Sequence, residues 1–468
     1  MDLTRDEIVA ITGGRAHGHE GDGPAVARGL SFDSRTLAPG AGFLALRDVR
    51  DGHDFVADAF ARGASLAIVE RVPEGVQGPL VVVADVRAAL YALAAEARRR
   101  LEPATVIGVT GSAGKTSTKD LTAAALRPRF AVHASESSFN NEIGLPVTLL
   151  SAPPGSEAVV LEMGARFAGN IRELCAIALP AIGVITNVGL AHAEHLGGPR
   201  GIAEVKGELL DALPAGGLAV LNADGDGASY LRSRSPAPVV TVGSGADADV
   251  RISAVRLDGE LRATFRLDSP WGSAETVRLA VRGGYQVANA AMAATVALHL
   301  GVPLDAVVAS LAGAATAAWR MELATAPEGF TVLNDAYNAS PTSMRAALDS
   351  FGQLPVRGHR LAVFGEMREL GNLAASEHAR LGGLVADADV FALVVVGPGT
   401  GDLAAAATAR GVEVHEVADH DAAVAIVRKL ARPGDAVLVK ASRTVGLERV
   451  AQSLTDGAPD AHREGDAR

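Results

Sequence analysis

Short unbroken apolar runs alternate along this chain with longer stretches in which apolar residues recur at helical intervals. FLAL, ASLAIVE and LVVVAD come first. RAALYALAAEARRRL follows, and its pattern stops at Glu102-Pro103, because proline disfavours helix at the residue before it. A second set begins with TVIGVT (105–110) and continues through AVVLEM (158–163), AIGVITN (181–187) and LAVLN (218–222). Apolar runs this continuous predict a parallel sheet with both faces covered by helices. Residues 238–282 alternate more finely and predict a small antiparallel section. FTVLND, RLAVFGEM, VFALVVVG and DAVLVKAS then predict a second open α/β sheet. The pattern predicts an α/β protein of three domains, at 1–102, 103–317 and 318–456, with a polar tail, 457–468, expected to be loose. No internal repeat is visible.

A length of 468 residues also suggests about three domains of ordinary size. A hydrophobic share of 48% against 21% charged excludes wholesale disorder. The net charge of -11 argues against a nucleic-acid partner, but not against an anionic substrate in a locally basic pocket. No apolar run reaches about 18 residues, so no membrane span is expected. The N-terminus, MDLTRDEIVAITGG, lacks the basic-then-apolar order of a signal peptide, and a cytoplasmic location is expected. Cys175, the single cysteine, sits in the apolar pattern IRELCAIAL and reads as a buried thiol; no zinc-type Cys/His spacing occurs. Nothing in the sequence demands a dimer, and a monomer is expected.

The strand TVIGVT runs into Thr110-Gly111-Ser112-Ala113-Gly114-Lys115-Thr116-Ser117 and then into the helical stretch TKDLTAAAL. Strand, glycine loop and helix together make a phosphate cradle: backbone N–H groups face the anion and glycines admit it closely. Lys115 is expected to reach the β- and γ-phosphates, and the Thr116 hydroxyl to hold Mg²⁺. Val109 stands where the longer consensus has glycine, so the loop is a shortened variant. ATP binding is the expected property.

Glu162 closes the strand AVVLEM and His192 follows AIGVITN. Both fall beyond the carboxyl ends of strands, where open α/β sheets place ligands, and both are plausible ligands for divalent ions. Lys206 lies in the helical segment GIAEVKGELLDAL, and by its own pattern reads as a solvated helix-surface lysine.

Taken in order, these motifs resemble those of the Mur ligases. TGSAGKTS looks like their phosphate loop, LEMGA their acidic strand end, TNVGLAHAEHLG their metal-binding loop, and IAEVKGEL the segment with their carbamylated lysine. The resemblance implies that Thr116 and Glu162 hold one Mg²⁺, and that His192 and a carbamate on Lys206 hold a second. It makes Lys115, His192 and Lys206 the catalytic set. A bare ammonium would repel Mg²⁺, whereas a carbamate is an anionic oxygen ligand.

The likeness covers nearly the whole chain. GYQVANAAMAATVA is similar to the helix whose asparagine, here Asn289, contacts adenine. AWRMEL places Arg320 where the family arginine reaches the ATP phosphates. In LNDAYNASPTSM, Asp335 would contact the ribose, with Tyr337 and Asn338 on the cleft face. SFNNEIGLP, with Asn140 and Asn141, and FGEMRELG are similar to segments of the branch that adds D-alanyl-D-alanine. FDSRTLAPGAGFLALRDVRDGHDF resembles that branch's uridine-diphosphate-binding segment, with Ser34 and Arg35 as contacts; Asp48 departs from the usual glycine. VLVKASRTVGLE offers Lys440, Ser442 and Arg443 as substrate contacts, with Ala441 again replacing a glycine. An Asp-Asn-Pro-Arg motif, typical of the diamino-acid-adding branch, is missing.

The implied architecture is a small N-terminal α/β domain binding the UDP-linked peptide, a central P-loop ATPase-like domain, and a C-terminal Rossmann-like domain binding the incoming dipeptide. The implied reaction ligates D-alanyl-D-alanine to UDP-N-acetylmuramoyl-tripeptide through an acyl phosphate, with ATP and Mg²⁺. Alternatives are the diamino-acid-adding Mur step and a folylpolyglutamate-type ligase.

Overall fold

The computed structural model of the chain describes residues 1–18, 25–136, 138–190 and 193–456. The tail 457–468 and His192 lie outside the described residues. Three sheets carry most of the fold. A five-stranded sheet near the N-terminus runs in the order Arg15–His17, Leu80–Val82, Leu66–Val69, Gly42–Leu44, Leu30–Ser31, and only its first pairing is antiparallel. A nine-stranded sheet follows, and a six-stranded one closes the chain.

In the nine-stranded sheet, Thr105–Thr110 lies between Ile182–Ile185 and Ala158–Glu162, all three parallel. These are the continuous apolar runs of the sequence, and all but the first residue of these three strands is buried, as a sheet covered on both faces requires. The antiparallel section is shorter than its alternation suggested. Val239–Gly243 pairs parallel with both Leu218–Asn222 and Val250–Leu257, and antiparallel pairing begins only with Arg262–Ser269 and Gly272–Arg282. The helix Ala228–Arg234 intervenes before Val239, and a crossover of that kind returns a strand parallel to its neighbour.

In the last sheet, Thr331–Asn334, Ala436–Lys440, Arg360–Gly365, Val390–Val396 and Glu413–Val417 run parallel. Glu322–Thr325, which the apolar pattern does not reveal, adds an antiparallel edge. Its four residues include none that is buried, so its alternation carries little signal.

Apolar packing joins the first two units more firmly than the last two. One buried cluster runs from Leu90, Leu93 and Ala97 on the helix Val86–Arg100 to Leu145, Leu149 and Leu174 under the nine-stranded sheet. The C-terminal sheet instead has its own clusters on its two faces, around Phe351 and Phe364 on one side and Phe330 and Leu447 on the other. It meets the central unit through a linker at 314–321, through a small apolar contact in which Leu261, with Leu257 and Tyr285 beside it, joins the cluster around Phe351, and through polar contacts such as Arg166 with Glu369 at 3.6 Å. Among the described residues, no helix is long and apolar enough to cross a membrane.

Candidate active site

The phosphate loop leaves the strand Thr105–Thr110 and enters the helix Lys115–Leu126. Gly111 has φ of +151°, and a Cβ there would stand 1.8 Å from Thr186 Oγ1. Gly114 has φ of +80°, and a Cβ there would meet Asn289 Oδ1 at 2.7 Å. Both positions thus need glycine, for the backbone conformation and for the space. Side chains of the next strand's end hold the loop open. Thr186 Oγ1 donates to the Ala113 carbonyl at 2.6 Å, and Asn187 Oδ1 accepts from the Ala113 N–H at 3.0 Å. Ser112 Oγ donates to the Gly189 carbonyl at 2.7 Å.

Four polar side chains converge beyond the loop. Thr116 Oγ1 donates to Glu162 Oε2 at 2.7 Å, and Arg320 Nη2 donates to Thr116 Oγ1 at 2.8 Å. Asn140 Nδ2 donates to Glu162 Oε1 at 2.6 Å. Glu162 is only 1% exposed, yet no lysine or arginine forms an ion pair with it among the described residues. Lys115 turns back on its own loop, donating to the Gly111 carbonyl at 2.9 Å. Desolvation pushes its ammonium below the usual lysine value; the Glu162 carboxylate opposes that shift and the Arg320 charge adds to it. The Thr110 hydroxyl is buried without a partner.

Lys115, Thr116, Asn140, Glu162 and Arg320 line one cleft of about 1030 Å³ between the central and C-terminal sheets. Arg166, Arg345 and Arg380 add positive charge to its walls, and Asp224 and Asp226 negative charge. The loop end, with its backbone N–H groups, Lys115 and Arg320, suits a polyanion.

Comparison with known proteins gives the arrangement a family. The Mur ligase middle domain matches residues 109–297, and the Mur ligase glutamate ligase domain matches residues 319–443. The chain is 41% identical to the UDP-N-acetylmuramoyl-tripeptide--D-alanyl-D-alanine ligase of Mycobacterium bovis, over 97% of this chain and 98% of that one. The chain belongs to the Mur ligase family. Its fold superposes on that of MurF from Acinetobacter baumannii with a TM-score of 0.85 at 30% identity, covering 97% and 99% of the two chains. MurF from Thermotoga maritima, solved in complex with ADP, gives a TM-score of 0.78 at 29% identity, covering 92% and 97%. As a Mur ligase, the chain is an ATP-dependent ligase.

In this Mur ligase Lys206 is 2% exposed, which overturns its reading as a solvated surface lysine. The helix Gly198–Asp211 turns Lys206 inward with Ile202, Val205 and Leu209, one apolar stripe of its amphipathic face. Among the described residues Lys206 makes no hydrogen bond or ion pair, and desolvation, with the Lys115 charge second, pushes its ammonium well below the usual lysine value.

The other expected contacts fall into two groups. Asn289, Asp335, Tyr337, Asn338, Asn140, Asn141, Lys440 and Arg443 line the cleft. Several are also occupied within the protein. Lys440 is buried and donates to Asp335 Oδ2 at 2.6 Å and to the Asn338 carbonyl at 2.8 Å. Asn141 Oδ1 accepts from the Gly144 N–H, and Ser442 Oγ from the Arg368 N–H. Ser442, like Ser34 and Arg35, is not among the cleft's lining residues; Ser34 and Arg35 sit in the first unit, with Arg35 paired to Asp33 at 2.6 Å.

Sequence reasoning passed over Asn187 and Ser138. Asn187 follows the strand Ile182–Ile185, so the strand-end rule that singled out Glu162 applied to it equally. Ser138 Oγ lies 3.1 Å from Thr116 Oγ1 in an irregular loop with no periodic signal.

Proposed function

We propose that this Mur ligase uses ATP in the cytoplasm to join D-alanyl-D-alanine to UDP-N-acetylmuramoyl-tripeptide, producing the UDP-linked pentapeptide of peptidoglycan synthesis. The observation that carries this reading is the likeness, over nearly the full length of both chains, to ligases of that name. The first unit is included in that span.

The terminal carboxylate of the tripeptide attacks the γ-phosphorus of ATP. A P–O bond forms, the bond to the β-phosphate oxygen breaks, and ADP leaves an acyl phosphate behind. The neutral dipeptide amine then attacks the acyl carbon, and as the amide forms the nitrogen gives up one proton and inorganic phosphate departs. Phosphoryl transfer asks chiefly for position and charge neutralisation. The loop N–H groups, Lys115 and Arg320 supply both at the phosphate end of the cleft.

The Thr116 hydroxyl and the Glu162 carboxylate are hard oxygen donors in direct contact, joined by one hydrogen bond of 2.7 Å, which fits Mg²⁺. That ion takes one or two carboxylates and leaves its other positions to phosphate and water. Bound there, Mg²⁺ would neutralise charge on the phosphates. Lys206 fits a carbamate for a separate reason. A buried ammonium without a partner is costly, and addition of CO₂ to the neutral amine, with loss of one proton, turns it into an anionic oxygen ligand. His192 stands in this reading as a metal ligand on its motif alone.

Mass spectrometry of the product tests the assignment. The pentapeptide from UDP-N-acetylmuramoyl-tripeptide and D-alanyl-D-alanine is expected. Product only from the dipeptide precursor and a diamino acid, or from a folate and glutamate, would move the protein to one of those steps.

A further inference from the structure

The phosphate-loop helix grips the interdomain linker at two points. Arg320 reaches Thr116 from one end of the linker, at 2.8 Å. At the other end, Asp120 Oδ2 accepts the Ala317 N–H at 3.0 Å, across 197 residues of sequence. Thr116 and Asp120 are four residues apart in the helix Lys115–Leu126, so they stand one above the other on one face. Lys119, itself buried, pairs with Asp120 Oδ1 at 2.9 Å and also donates to the Ser135 carbonyl. The carboxylate is thereby fixed on both oxygens.

Beyond Ala317 the linker changes allegiance. The Trp319 carbonyl accepts from the Tyr337 N–H at 3.3 Å, and the Met321 N–H donates to Asp335 Oδ1 at 3.2 Å. Both contacts belong to the C-terminal unit. Trp319 and Met321 have φ of 60° and 55°, left-handed values that cost a non-glycine residue about 1–2 kcal/mol each. Arg320 thus sits between two strained residues, and the last point at which the central unit holds the backbone before it is Asp120.

We propose that Asp120 is a positioning residue: by holding the Ala317 backbone to the phosphate-loop helix, it sets where the Arg320 guanidinium meets the nucleotide phosphates. The inference rests on the reading of Arg320 as a phosphate contact. A carboxylate one turn past Thr116 ties linker and loop together, so the arginine and the loop move as one.

A double-mutant cycle on binding of a non-hydrolysable ATP analogue, read by calorimetry with Mg²⁺ on the full chain, tests this. Arg320→Ala is expected to weaken binding about 10-fold, the loss of one charge-assisted hydrogen bond. Asp120→Ala is expected to weaken it about 5-fold alone and not at all in the Arg320→Ala background, since it acts through that side chain. Asp120→Asn keeps an acceptor for the Ala317 N–H and is expected to bind within about 2-fold of the parent. Additive losses, or an Asp120→Ala variant that binds as the parent does, would overturn the positioning role. An Arg320→Ala variant that binds normally would instead overturn the reading of Arg320 itself. Thermal unfolding of each variant separates these outcomes from misfolding, which would lower binding in the Arg320→Ala background as well.

Discussion

Arg320 donates to the Thr116 hydroxyl at 2.8 Å although 204 residues separate them, and its guanidinium lies 4.2 Å from the centre of the Tyr337 ring. One side chain thus connects the phosphate loop, the linker and the C-terminal unit. A planar, always-charged group is needed to stack and donate at once, and lysine does neither in the same way. Arg320→Lys is therefore expected to lower kcat about 10-fold or more, by analogy with loss of an oriented transition-state donor. Steady-state kinetics with saturating acceptor check this, and an unchanged kcat would remove Arg320 from the reaction.

Gly111 gives a sharper steric test. Its Cβ would fall 1.8 Å from Thr186 Oγ1, the atom that holds the Ala113 carbonyl. Gly111→Ala is expected to abolish measurable nucleotide binding. Gly155 is the control: it also has positive φ, but a Cβ there meets nothing within 4 Å. Gly155→Ala should cost about 1 kcal/mol of stability from backbone strain and leave nucleotide binding intact. Equal binding by the two variants would contradict the packing described around the loop.

Lys206 predicts a dependence on dissolved CO₂. Turnover should fall in CO₂-depleted buffer and return with bicarbonate, and ¹³C-labelled bicarbonate should give a carbamate resonance that Lys206→Ala lacks. Turnover indifferent to CO₂, with no labelled signal, would leave Lys206 a buried lysine and nothing more.

Burial pushes the Cys175 thiol up to about 12, with the Glu208 charge adding to it. The thiolate is the reactive form, so at pH 8 almost none is present in the native protein. A thiol-specific chromogenic reagent should label the chain only after unfolding. Labelling of the native protein at the rate of a free thiol would place Cys175 at the surface, against the packing of its Sγ on Met163 at 3.7 Å.

Much of this was legible in the sequence, and the reasons are local. Thr110 through Ser117 carries its loop geometry in its glycines, and the strands on each side announce themselves as unbroken apolar runs. Glu162 was legible because a strand end is visible from the pattern alone. Lys206 was not: the segment GIAEVKGELLDAL shows a lysine among both polar and apolar neighbours, and its inward turn depends on how the helix packs. Asp120 was illegible for another reason. Its partner at Ala317 is a backbone N–H far along the chain, and no spacing rule reaches it. The edge strand Glu322–Thr325 escaped because it buries nothing.

In the proposed reaction, ATP cleavage serves amide formation between two particular substrates. Phosphate release from ATP, measured with UDP-N-acetylmuramoyl-tripeptide in the presence and absence of D-alanyl-D-alanine, tests it most directly. Sustained release that requires both substrates is the predicted result. Release that proceeds without either, or that is absent with the pair and appears with a different acceptor, would contradict the account.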